Sequence, residues 1–196
     1  MKILSAKAVK AYWAFSEFAS ERWGNEYKQH LPELVSIAEN GRPFEELPES
    51  EYDRVIGVAY KARNSDFINN VDKSSSYRLE KLTREQLDEV WVLPTFHPKK
   101  ERPIKYREFR IGSVSKNING DEDDADPRFK IRCISEGPYT QTLAGIVINV
   151  QGYPMLIEGY LRSLLFRRGS NPDDRYAVWW PYDLPVPEAQ LEFGAP

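Results

Sequence analysis

The chain has 196 residues, of which 41% are hydrophobic and 29% charged, and its 25 aromatic side chains (5 Trp, 11 Tyr, 9 Phe) are enough to build a packed core. One cysteine, Cys133, rules out an intrachain disulfide framework and a cysteine-rich zinc site. With 27 basic against 30 acidic residues the net charge is −3, so bulk charge does not drive nucleic-acid coating. No apolar run reaches the roughly 18 residues of a membrane span, and the opening residues lack a signal-peptide pattern, so no membrane partner and a cytoplasmic location are expected.

The first 65 residues read as a helical region. Ala8, Tyr12, Phe15 and Ala19 form one stripe over a helix from Ser5 to Arg22, widened by Val9, Trp13 and Phe18. A short helix is expected over 31–39. A third follows from Tyr52, Val55, Ile56, Ala59 and Tyr60, with Ser50 as its N-cap. These helices carry no chemistry of their own but offer a surface for a protein partner. The polar stretch 64–76 reads as a connection.

From Tyr77 the pattern changes to mixed strands and short helices, over residues 77–182. Tyr77 to Leu82 reads as a strand with Tyr77, Leu79 and Lys81 on one face. Thr83 and Gln86 form a capping box that starts a short helix to about Val90. Trp91–Phe96 and Ile104–Ile111 read as strands, and residues 99–110 hold six basic and two acidic side chains, a local +4. The run 121–126 holds five acids. Asp121, Asp123 and Asp126 are oxygen donors of the kind that hold magnesium or calcium, although the run lacks the glycine and glutamate of an EF-hand loop. Cys133 sits in an apolar series as a small core residue.

Residues 143–181 carry the strongest pattern. A β-branched strand over 143–150, a turn at Gln151–Gly152 and a second strand from Tyr153 to Ile157 lead through Glu158–Gly159 into a helix from Tyr160 to Arg168. Leu161, Leu164 and Leu165 are its inward positions and Gly169 its C-cap. A strand from Arg175 to Trp180 follows, with one of Trp179 and Trp180 inward and one on the surface. Helix N-termini favour anions, glycine removes the Cβ from their path, and an arginine in the first turn can fork onto phosphate oxygens. Arg162 has a second reading, a salt bridge to Glu158 four residues before it.

The stretch Gly145 to Gly169 (GIVINVQGYPMLIEGYLRSLLFRRG) resembles the core of the ParB/sulfiredoxin superfamily, in which two strands lead into a Gly-x-x-Arg motif opening a helix, often after an acidic residue. The match is best over 128–182. It implies an α+β fold, with a ParB/sulfiredoxin-like mixed sheet and short helices following the helical N-terminal region. It also implies phosphate recognition, of a nucleotide or of DNA, with ParB-like nuclease activity among its outcomes. On it, Gly159, Tyr160, Arg162, Ser163 and Arg167 are the candidate phosphate-binding residues and Glu158 the candidate catalytic one. Tyr160 and Leu161 replace the cysteine and histidine of sulfiredoxin's Gly-Cys-His-Arg, which excludes that activity. Two alternatives stand beside phosphate binding: a catalytically inert interaction module on the same fold, and a metal-dependent phosphodiesterase using magnesium at Asp121 and Asp123. Residues 183–196 read as a loose, Pro-rich tail.

Overall fold

A computed structural model describes residues 2–17, 25, 29–32, 44, 47–62, 66–92, 110–113, 143–169 and 171–188. Its strands are β1 (Ile3–Ser5), β2 (Ser76–Leu82), β3 (Trp91–Val92), β4 (Gly145–Val150), β5 (Tyr153–Glu158) and β6 (Tyr176–Pro181); its helices are α1 (Ala6–Ser16), α2 (Tyr52–Ala62), α3 (Arg84–Asp88) and α4 (Tyr160–Gly169). The strands hydrogen-bond in the order β1-β2-β6-β4-β5-β3 in a mixed sheet of six, and the chain is of the α+β class. By compactness it divides into Lys2–Tyr77 and Arg78–Pro196.

In the first unit, Ser5 caps α1 by accepting from the Ala8 N–H at 3.2 Å. Val9, Ala11, Trp13 and Ala14 of α1 and Val55 and Ala59 of α2 are fully buried, and the two helices are in contact. Ser50 lies inside a 3-10 turn, Glu49–Glu51, that runs into α2, so it is not that helix's cap. The expected connection is likewise structured: Asp66–Lys73 is a 3-10 helix. Its Ile68 and Val71 are buried, and the Tyr77 hydroxyl donates to the Val71 carbonyl at 2.8 Å. Two residues three apart fall on one side of a three-residue turn, which lets a polar segment bury two apolar side chains. The expected helix over 31–39 lies largely outside the described residues.

The second unit is organised by β4 and β5. Gln151 (φ 54°) and Gly152 (φ 88°) both take positive φ in a two-residue turn, the hand that matches strand twist, and the register runs Val150 to Tyr153, Ile148 to Met155 and Val147 to Leu156. It then slips: Ile146 faces Glu158, leaving Ile157 as the extra residue of a bulge. β6 runs parallel to β4 and β3 parallel to β5. The connection from β5 to β6 is α4, which lies against β4. Val147, Leu156, Val178 and Trp180 join Leu164, Leu165 and Phe166 of α4 in one core cluster. The alternating positions Ile146, Ile148, Ile157 and Trp179 are also buried but lie outside that cluster. Both faces of these strands therefore take apolar side chains. Trp179 and Trp180 are both buried, contrary to the expected split.

The structure departs from three further expectations. In β2 the buried residues are Tyr77 and Leu82, whereas Lys81 is exposed and Leu79 half-buried. Arg110 forms an antiparallel bridge with Trp91, but Ile111 already belongs to a helical turn over 111–113. The tail, as far as Glu188, is a strap rather than a loose end. Leu184 is buried, its carbonyl accepts from the Trp180 indole at 2.8 Å, and Arg78 donates to the carbonyls of Tyr182 (2.9 Å) and Leu184 (3.3 Å). Gln86 holds the strap again at Pro187. The remainder of the expected strands over 91–96 and 104–111, and Cys133, lie outside the described residues.

Candidate functional site

The β5–α4 junction is built around Gly159. Its φ is +95°, a region that costs an L side chain strain. A Cβ there would sit 2.7 Å from the Tyr176 hydroxyl and 3.1 Å from the Gly145 Cα. The position thus demands glycine because strands β4 and β6 close against it. The Gly159 carbonyl accepts from the Ser163 N–H, opening α4, and from the buried Tyr176 hydroxyl, each at 2.9 Å.

Glu158 precedes it, placed by the bulge at Ile157. Its Oε1 accepts from the Gly159 N–H at 2.9 Å and from Nη2 of Arg162 at 3.3 Å. The salt bridge anticipated between Glu158 and Arg162 is therefore present, with side chains 19% and 21% exposed. One carboxylate oxygen collects a backbone N–H at the positive end of a helix and a guanidinium, the donor pair that an oxyanion needs.

The other candidates do not join this group. Tyr160 is buried in the core cluster. Ser163 is fully buried, and its hydroxyl donates to the Tyr160 carbonyl at 2.7 Å, closing a local loop inside the helix. Arg167 follows Arg162 by five residues, about 140° further round the helix, and makes an ion pair with Asp88 of α3 at 2.7 Å. The structure thus brings together Glu158, Gly159 and Arg162, while the side chains of Tyr160, Ser163 and Arg167 are engaged elsewhere.

Arg167 belongs to a second charged group around α3. Thr83 accepts from the Gln86 N–H (3.2 Å) while the Gln86 side chain accepts from the Thr83 N–H (2.9 Å), so the expected capping box is formed. Glu85, in the first turn, is held below the usual glutamate range, first by a hydrogen bond from its own backbone N–H, then by Thr83, with Arg84 and Arg167 adding smaller favourable charge. Arg110 pairs with Glu89 just beyond the helix.

Asp121 and Asp123, the expected magnesium ligands, lie outside the described residues, and no group of three His, Cys, Asp or Glu side chains among the described residues is placed to hold a metal. Among the described residues no helix is long and apolar enough to cross a membrane. Sequence reasoning missed Tyr176 and Gly145, which hold the Gly159 turn, and Asp88, which takes Arg167; each lies far along the chain from its partner and no local pattern marks it. Comparison of the chain with models of protein families, with curated proteins and with solved structures finds no match.

Proposed function

We propose that the β5–α4 junction binds an oxygen of a phosphate-bearing ligand, a nucleotide or the DNA backbone, with the Gly159 N–H and the Arg162 guanidinium as donors. The observation that supports it is their convergence on a single anionic oxygen, Glu158 Oε1. A phosphate oxygen is an acceptor of the same kind with more charge behind it, and it takes the place of the carboxylate. Both side chains are partly exposed, so a ligand can reach them. The resemblance of the strand–Gly–x–x–Arg stretch to the ParB/sulfiredoxin superfamily points the same way. In this reading Glu158, once displaced, is the group available as a general base for hydrolysis.

The test is calorimetric titration with inorganic phosphate, ATP and a short single-stranded DNA, each at two salt concentrations, on the unaltered chain and on Arg162→Ala. Binding that falls with salt and drops at least tenfold in the variant supports the reading. Binding indifferent to Arg162, or none with any of the three, overturns it.

A second reading, a catalytically inert interaction module, is favoured by a specific observation. Glu158, Arg162, Ser163 and Arg167 each already have a partner within the chain. It predicts no gain in thermal stability from any of the three ligands, and a loss of stability alone from Arg162→Ala. A protein partner at the N-terminal helices belongs to this reading. The metal-dependent phosphodiesterase rests on Asp121 and Asp123, and its own test is magnesium-dependent cleavage lost on their replacement.

A further inference from the structure

We draw no further inference here: the strongest candidate, the Trp91–Tyr153 aromatic pair (ring centroids 4.9 Å apart, Tyr153 52% exposed) at the β3–β5 edge of the sheet, carries nothing because nothing in the structure shows what covers it.

Discussion

The Tyr176 hydroxyl donates to the carbonyl of Gly159 at 2.9 Å, and the same hydroxyl lies 2.7 Å from where a Cβ on Gly159 would sit. The two residues therefore answer for each other. Gly159→Ala forces a side chain into positive φ and against that oxygen, and is expected to cost more than about 2 kcal/mol. Tyr176→Phe loses one hydrogen bond, about 1 kcal/mol, while the carbonyl keeps its bond from the Ser163 N–H. In the double variant the colliding oxygen is gone, so the total is smaller than the sum. Urea unfolding of the four proteins checks this; strictly additive losses contradict the contact.

Gln86 works at both ends of its amide. Its oxygen accepts from the Thr83 N–H, and its nitrogen donates to the Pro187 carbonyl at 3.2 Å. Gln86→Glu keeps the acceptor of the capping box but loses the donor, so α3 stays capped while the 182–188 strap loosens. Thr83→Ala does the reverse and costs about 1 kcal/mol through the cap. Limited proteolysis reads the difference: cleavage within 182–188 is expected to speed up in Gln86→Glu and in Arg78→Ala, which loses both carbonyl contacts. Equal cleavage of Thr83→Ala and Gln86→Glu at matched stability argues that the strap is held by something else.

Glu85 gives a pH dependence with a definite sign. Its carboxyl is held below the ordinary value of 4.5, chiefly by its own backbone N–H and the Thr83 hydroxyl. A lowered acid stabilises the fold above its unfolded value, and that contribution is lost as pH falls through the folded one. Stability should therefore decline below about pH 4.5, with a gentler slope in Glu85→Gln. The residue is exposed, so the effect is small and weakens with salt. Thermal melts between pH 2 and 6 compare the two; identical slopes exclude Glu85 as a contributor.

The β4–β5 hairpin, α4 and the α3 capping box are legible in the sequence because each is set by neighbours: a β-branched run, a Gln-Gly turn, leucines at helical spacing, a Thr three residues before a Gln. Glu158 and Arg162 are legible for the same reason, lying four residues apart across the start of α4. What is not legible depends on distant chain. Ile68 and Val71 are spaced for a 3-10 turn, but the polar residues around them hide it. Trp179 and Trp180 both go inside because these strands bury side chains on both faces, which no single strand announces. Leu184 looks like part of a Pro-rich end until Trp180 and Arg78 are seen to grip its carbonyl. The bulge at Ile157, which aims Glu158 at the start of α4, appears only when β4 is laid beside β5.

Arg162 and Arg167 separate the two roles open to arginine on α4. Arg162 shares its carboxylate with a backbone N–H at the helix start, whereas Arg167 is spent on Asp88, with side chains 19% and 25% exposed. Arg167→Ala leaves Asp88 half-buried without that charge and is expected to cost about 1–2 kcal/mol, between the values of surface and buried pairs. Arg167→Ala/Asp88→Asn should recover part of the loss, because the half-buried carboxylate loses its charge along with the guanidinium. Phosphate affinity should be unchanged in both, once measured well below their melting temperatures, and reduced only in Arg162→Ala. If Arg167→Ala weakens phosphate binding as much as Arg162→Ala while the fold is intact, the ligand reaches round the helix and the junction is wider than Glu158, Gly159 and Arg162.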